Sequence, residues 1–208
     1  LPAVVASPER GYRMRARLHA QGGRLGFLRE GSHRLCDAGM TGQLLPETLA
    51  WIADAERVIE QEHLSGLAGI EVAENARGDA RACHLYLGAG IDAAPFASLA
   101  ASGQLTGLSA ERADRGDVEQ LMGAPFVTDV VTTQAGESSV TLRLRHHVRA
   151  FFQGNRFLVE ALVRHIVGLV PPGAVVDLYA GVGLFGLALA AAGREAVTLV
   201  EGDPVSSA

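Results

Sequence analysis

The sequence of 208 residues contains no lysine, two cysteines and one tryptophan. It has no continuous apolar run of the roughly 18 residues that cross a bilayer. Cys36 and Cys83 lie far apart, so they indicate neither a disulfide framework nor a zinc site. We therefore expect no metal site, no membrane partner, reduced thiols and a cytoplasmic location.

Positive charge is carried by arginine alone. The 18 arginines are outnumbered by 23 acidic residues, which gives a formal net charge of −5. This balance argues against a polyanion-binding surface over the whole molecule, because such a surface needs an excess of positive charge. It still permits a local basic face.

The first 148 residues have the pattern of an antiparallel α+β domain. Alternating side chains over 12–18, followed by a Gly-Gly turn, predict a β-hairpin. Pro46 and the helical spacing after it predict a helix over 46–62. The other predicted elements are strands at 68–73, 82–88, 127–132 and 139–145, a helix at 93–102 and a short helix near Asp117.

Residues 149–208 predict the start of a parallel α/β sheet. An amphipathic helix is expected over 155–169, with Asn155 as its N-cap. The apolar segments AVVDLYA and AVTLVE are typical of strands buried on both faces, and residues 184–192 between them predict a helix. This order is the first unit of a doubly wound, Rossmann-like sheet. Because both ends of the chain look cut, we expect a fragment of a longer protein.

Three glycines after the first of these strands, Gly181, Gly183 and Gly186, have the spacing GxGxxG. Such a turn exposes the N–H groups of a helix N-terminus, and glycine lets a ligand approach the backbone closely. Glu201 follows Gly181 by 20 residues, at a strand end where an acid accepts hydrogen bonds from ribose. The glycines alone are compatible with NAD, with S-adenosylmethionine, or with a tight bend that binds nothing.

Asp177 lies inside the predicted strand that precedes the glycine turn, and it favours S-adenosylmethionine among these ligands. Its carboxylate would repel a pyrophosphate, whereas it would attract the positively charged methionine end of S-adenosylmethionine, directly or through water. The alternative is structural: Asp177 ties the turn together by accepting backbone N–H groups.

The segments around this turn resemble a known enzyme family. FFQGN at 151–155, DLYAGVGLFGLALA from 177 and VEGD at 200–203 are similar in order and spacing to motifs of the S-adenosylmethionine-dependent RNA uracil-5-methyltransferases. These enzymes methylate ribosomal or transfer RNA. YRMRARL from 12 and GRLGFLREGSHRL from 23 also resemble the start of that family's central domain. The likeness covers most of the chain but is weak between about 60 and 140.

The resemblance implies a cofactor pocket that meets a substrate pocket. The residues expected to bind S-adenosylmethionine are Gln153, Asp177, Tyr179, Gly181, Gly183, Leu184 and Glu201. Phe151 and Gln153 would meet the flipped uracil. The alternatives are a core aromatic for Phe151 and a hydrogen bond at the helix entry for Gln153.

The RNA itself is expected to contact arginine side chains. Arg13, Arg15 and Arg17 alternate along the first predicted strand and so share one face, to which Arg143 and Arg145 would add. Contacts from these residues to RNA phosphates would supply a local basic face. The alternative is a solvated sheet face whose arginines pair with nearby acids.

Three departures from the family pattern restrict the expected chemistry. Leu184 stands where the family carries a polar residue, so one contact to the cofactor is missing. Thr41 stands where some members carry a cysteine ligand of an iron–sulfur cluster, and Cys36 alone cannot hold one, so we expect no cluster. The family's nucleophilic cysteine and proton-accepting carboxylate belong to later strands. We therefore expect no catalytic residue in this chain and no activity from it alone.

Two other interpretations stay open. An NAD(P)-dependent oxidoreductase would use the same glycines, although Asp177 and the FFQGN segment argue against it. A non-catalytic RNA-binding or interaction module with a vestigial cofactor turn would account for Leu184.

Overall fold

The computed structural model describes residues 4–101, 103–135 and 138–207. Seven of its strands form one sheet: β1 (Arg15–Gln21), β2 (Arg24–Leu28), β3 (Leu35–Asp37), β4 (Leu67–Glu74), β5 (Arg81–Leu87), β6 (Gly107–Arg112) and β7 (Val118–Gly123). Their spatial order is β3-β2-β1-β4-β5-β6-β7. Neighbours are antiparallel except β5 and β6, which are parallel. The predicted α+β architecture is confirmed, and the sheet is antiparallel as predicted except at the parallel β5–β6 pair.

Helix α1 (Pro46–Gln61) covers one face of this sheet. Proline stands in its first turn, where an intrahelical N–H donor is not needed. Trp51, Ile52 and Ile59 recur at helical spacing, are buried, and belong to one apolar core with sheet residues such as Leu18. The helix predicted over 46–62 is confirmed.

The predicted hairpin is β1–β2, and its turn explains why two glycines occur together. Gly22 and Gly23 have φ values of +57° and +78°. A two-residue turn with both central residues in the left-handed region matches the twist of the strands it joins, and glycine adopts it without strain.

The short helix predicted near Asp117 is wrong, because residues 118–123 form the edge strand β7. Most of its side chains are exposed, so its sequence lacks the alternation of a half-buried strand. Strand β6 was not predicted, although Leu108 and Ala110 alternate in its core-facing positions. The segment predicted as a helix over 93–102 is a 3-10 helix at Ala94–Ala100.

The second half of the chain adds two strand pairs and two helices. Strands β8 (Phe126–Ala135) and β9 (Ser138–His147) form the predicted antiparallel hairpin. Helix α2 (Val159–Leu169) begins later than the predicted 155–169, and its N-cap is Leu158 rather than the predicted Asn155. Strands β10 (Ala174–Leu178) and β11 (Ala196–Val200) are parallel neighbours joined through helix α3 (Leu184–Ala191), which confirms the predicted β-turn-α-β unit. The expected burial on both faces is wrong, because no residue of either strand is buried. None of the described helices is long and apolar enough to span a membrane.

A second apolar core lies between the β8–β9 hairpin and helices α2 and α3. It contains Met14, Val131, Leu144, Phe152, Val159, Val163, Leu184 and Ala188. The division of the chain into domains at residue 148 stays a prediction, and this core draws residues from both sides of that position. Phe152 and Leu184 both belong to this second core, so both are held against the same packed layer.

Candidate ligand-binding site

Three adjacent cavities lie along residues 151–153 and the glycine turn. The arginine cavity, about 620 Å³, is lined by Arg13, Arg15 and Arg17 together with Phe151 and Gln153. The bridging cavity, about 60 Å³, is lined by residues 151–153 on one side and by residues 179–182 on the other. The glycine-turn cavity, about 330 Å³, is lined by residues 180–183, Glu201 and Arg145. Shared walls therefore connect the predicted substrate residues to the predicted cofactor residues.

The glycine turn has the backbone geometry that its sequence predicts. Gly181 and Gly183 have φ values of +56° and +83°. A Cβ atom at Gly186 would overlap the Leu199 side chain and lie 3.1 Å from Asp177 Oδ2, so this glycine allows helix α3 to pack closely on the strands. The first two glycines shape the turn, and the third sets the distance between helix and sheet.

Tyr179 immediately precedes the turn in an unusual conformation. Its φ is +58°, and its side chain is 92% exposed. A left-handed conformation is uncommon for a tyrosine and costs about 1–3 kcal/mol, which points to a functional constraint on this backbone. The structure places Tyr179 at the bridging cavity, beside Phe151 and Gln153.

Glu201 is drawn to the turn by backbone hydrogen bonds. Asp203 N–H donates to Glu201 Oε1 at 2.7 Å, and Gly181 N–H donates to Oε2 at 2.6 Å. The hydrogen bond from Asp203, and to a smaller extent the one from Gly181, lowers the pKa of Glu201 below its ordinary value. The carboxylate is therefore ionised at neutral pH. A carboxylate has about four acceptor positions, which leaves capacity for hydroxyl groups of a ligand.

Asp177 and Leu184 are turned towards the protein. Asp177 Oδ2 accepts a hydrogen bond from Gly186 N–H at 2.9 Å, so its carboxylate ties the turn to the strand. Leu184 is 4% exposed and packs in the second core, so a leucine here replaces a polar contact by apolar packing. Contact of either side chain with a cofactor stays a prediction. Leu184 also lines the bridging cavity.

Residues 151–153 are oriented by a buried polar pair that the sequence analysis missed. The Phe152 ring stacks on His146, with centroids 4.3 Å apart and planes 9° apart. His146 Nε2 lies 2.9 Å from Asp129 Oδ2, and Ala76 N–H donates to Asp129 Oδ1 at 2.6 Å. Phe151, by contrast, is 63% exposed. Because Phe152 is anchored inward, its neighbours Phe151 and Gln153 reach the cavities.

The three arginines of the arginine cavity differ in how many protein groups already bind their guanidinium groups. Arg13 donates to Gln43 Oε1 at 2.7 Å, and Arg15 is paired with Glu71 and donates to the Arg149 carbonyl at 2.9 Å. Arg17 lies over the Tyr86 ring at 4.3 Å and has no hydrogen-bond or ion-pair partner among the described residues. Arg15 thus pairs with an acid, whereas Arg13 is held by an amide and Arg17 is available to a ligand. Contact of any of the three with RNA stays a prediction.

Neither cysteine lies in this site. Cys83 is fully buried in the sheet core, and burial, with a smaller contribution from Glu71, raises the pKa of its thiol far above the ordinary value. Cys36 lies on β3 and lines none of the three cavities. A buried thiol with a raised pKa is a poor nucleophile.

Comparison with solved structures shows what the fold resembles. The Pyrococcus abyssi tRNA (uracil-54, C5)-methyltransferase in complex with S-adenosyl-L-homocysteine matches 94% of this chain and 50% of its own, with a TM-score of 0.65 and 20% identity. P. horikoshii TYW2 in complex with MeSAdo matches 62% of this chain and 44% of its own, with a TM-score of 0.32 and 19% identity. No protein-family model and no curated protein matches the chain.

The first of these likenesses extends over nearly the whole chain. The chain spans about half the length of that methyltransferase. At this level of identity the likeness shows a shared fold. The mixed α/β architecture with its antiparallel-rich sheet is therefore that of a solved methyltransferase structure.

Proposed function

We propose that this chain is part of an RNA methyltransferase that transfers a methyl group from S-adenosylmethionine to C5 of a uridine in transfer or ribosomal RNA. The observation that carries the proposal is the shared wall formed by residues 151–153. On one side they line the arginine cavity, and on the other they face the turn that bears Gly181. A methyl transfer needs such a junction, because acceptor base and methyl donor must meet there. The shared methyltransferase fold supports the same activity.

The residues of the glycine-turn cavity fit S-adenosylmethionine. A Cβ atom at Gly181 would have no neighbour closer than the Phe151 carbonyl at 3.8 Å, so the turn backbone is open to a ligand. Glu201 is ionised and would accept the ribose hydroxyls, while the backbone of residues 181–183 would lie against the ligand. The chemistry that this cofactor supplies when bound is an electrophilic methyl group on a sulfonium sulfur.

The acceptor base would enter from the arginine cavity. The exposed ring of Phe151 offers a stacking surface, and stacking on an aromatic side chain contributes about 1–3 kcal/mol per base. Gln153 lines both the arginine and the bridging cavities, where its amide would pair with the edge of an extruded base. Arg17 would bind a flanking phosphate.

The reaction at C5 also needs groups that the described site does not contain. A thiolate must add to C6 so that C5 becomes nucleophilic, and a base must then remove the C5 proton before the thiolate leaves. Cys83 is buried and Cys36 lies outside the three cavities. We propose that both groups come from outside this chain, and we expect no methylation by the chain alone.

Tritium transfer from methyl-labelled S-adenosylmethionine to uridine-containing RNA tests the proposal. The assay is run with this chain and with the product of the whole gene that encodes it. We expect incorporation into uridine C5 with the second and none with the first. Turnover by the chain alone would overturn the placement of the nucleophile. Turnover by neither would favour the non-catalytic RNA-binding module.

Arg17→Ala tests the RNA side separately. We expect RNA affinity at low salt to fall roughly tenfold, because a hydrogen-bonded charge contact is removed. The slope of log affinity against log salt concentration should decrease by about 1 for one lost phosphate contact. Fluorescence anisotropy with a labelled uridine-containing oligonucleotide measures both quantities.

Arg34→Ala is the matched control for this measurement. Arg34 is exposed and lies outside the three cavities, and its replacement by alanine removes the same charge as Arg17→Ala. If both variants lose affinity equally, RNA binding depends on overall charge and the arginine cavity is not its site.

A further inference from the structure

Arg145 occupies a different place from the one that its sequence position predicts. It was grouped with Arg143 on the expected RNA face, yet Arg145 lines the glycine-turn cavity with Gly181, Gly183 and Glu201. Arg143, two residues earlier on β9, is exposed and lines none of the three cavities. Arg145 therefore belongs with the ligand side of the molecule.

The guanidinium of Arg145 already lies over an aromatic ring. Its Cζ atom lies 4.0 Å from the centroid of Phe126. Arg145 pairs with Thr128 across the hairpin, so Phe126 is its diagonal neighbour on the adjoining strand, within reach of a long side chain. Among the described residues Arg145 has no hydrogen-bond or ion-pair partner. One side of the guanidinium plane is thus supported by protein, and the group remains free to bind.

The charges in the cavity do not select a ligand carboxylate, because the cationic Arg145 and the anionic Glu201 line it together. Glu201 is ionised and lies in the same cavity, so a ligand carboxylate placed there would meet a like charge. A ribose bound to Glu201 would carry its purine within the same cavity of about 330 Å³. A planar guanidinium stacks well on a purine face.

We propose that Arg145 is a ligand-binding residue of the glycine-turn cavity, and that its guanidinium stacks on the adenine ring of the cofactor with Phe126 behind it. This inference rests on the proposed function, because it takes an adenosyl compound as the ligand. It assigns to Arg145 the recognition of the base, while Glu201 recognises the sugar.

Calorimetric titration of the chain with two ligands tests this inference. S-adenosylhomocysteine carries an amino-acid carboxylate, and 5′-methylthioadenosine carries the same adenosine without it. We expect Arg145→Ala to weaken both ligands to a similar extent, roughly tenfold, which corresponds to the loss of one stacking contact. Arg145→Lys should also weaken both, because lysine keeps the charge but not the plane. Arg143→Ala, the matched control, should bind both as the unmodified chain does.

Each other outcome overturns the inference in a distinct way. If Arg145→Ala weakens S-adenosylhomocysteine and leaves 5′-methylthioadenosine unchanged, the guanidinium recognises a carboxylate. If Arg145→Ala binds both as tightly as the unmodified chain, Arg145 has no role in binding, while the proposed function stands. If the unmodified chain binds neither ligand, the cofactor assignment fails and this inference fails with it.

Discussion

Replacing Glu201 by alanine is expected to weaken the binding of S-adenosylhomocysteine by roughly tenfold to a hundredfold, the range for losing hydrogen bonds to a charged group. Two effects act together. The ribose would lose its proposed carboxylate acceptor, and Gly181 N–H would lose the partner that it bonds at 2.6 Å. Isothermal titration calorimetry of the chain and the variant measures the change.

Glu195→Ala is the matched control for this experiment. Glu195 is exposed and immediately precedes strand β11, but it lines none of the three cavities. Its replacement by alanine removes the same charge as the Glu201 variant. Its variant should bind S-adenosylhomocysteine as the unmodified chain does. Equal affinities for the Glu201 variant and the unmodified chain would show that the carboxylate does not contact the ligand.

Replacing Glu74 by glutamine is expected to lower the free energy of unfolding by about 3–5 kcal/mol, the cost of removing one partner from a buried ion pair. Glu74 is 1% exposed and accepts from Thr48 Oγ1, from Arg81, and from Arg156 Nη2 at 2.7 Å. The glutamine would leave both arginines buried without a compensating charge. Urea unfolding at neutral pH measures the loss.

A surface ion pair provides the comparison. Asp54 pairs with Arg57 three positions along α1, and both side chains are partly exposed. Asp54→Asn should lower the free energy of unfolding by less than about 1 kcal/mol, because solvent screens such pairs. If Glu74→Gln were no more destabilising than Asp54→Asn, the buried cluster would not hold the chain together.

The Glu74 cluster also matters for the site, because Arg156 directly follows the FFQGN segment. Arg156 Nη1 donates to the Ala76 carbonyl at 3.2 Å, and its backbone N–H donates to the Tyr12 carbonyl at 3.0 Å. Met14 N–H donates to the Gly154 carbonyl at 2.9 Å. The FFQGN segment, which lies between the arginine cavity and the bridging cavity, is therefore fixed to the beginning of the chain and to β4.

The elements that could be predicted from sequence are those with strong local signals. Pro46 and the helical spacing after it predicted α1, the Gly-Gly turn predicted the β1–β2 hairpin, and continuous apolar runs predicted the parallel pair β10–β11. Strand β7 was mistaken for a helix because an exposed edge strand has no buried face to impose alternation. Its partner β6 is short and joins β5 in parallel, which is a non-local pairing.

In the site, the sequence identified residue types but not their partners. The glycine spacing and Glu201 predicted a turn with an acid beside it, and the structure brings them together. Asp177 had two possible roles, and only the folded chain shows its bond to Gly186. Asp129 and His146 lie 17 residues apart and meet only through the register of a hairpin, so no local pattern marks them. Alternation grouped Arg145 with Arg143, and only the folded chain shows that Arg145 lines the glycine-turn cavity.

We propose that the glycine turn binds an adenosylmethionine-type cofactor rather than a dinucleotide. Titration of the unmodified chain with S-adenosylhomocysteine, followed by calorimetry, and with NADH, followed by its fluorescence, tests this claim most directly. We expect saturable binding of S-adenosylhomocysteine and none of NADH in the same concentration range. Tighter binding of NADH than of S-adenosylhomocysteine would contradict it.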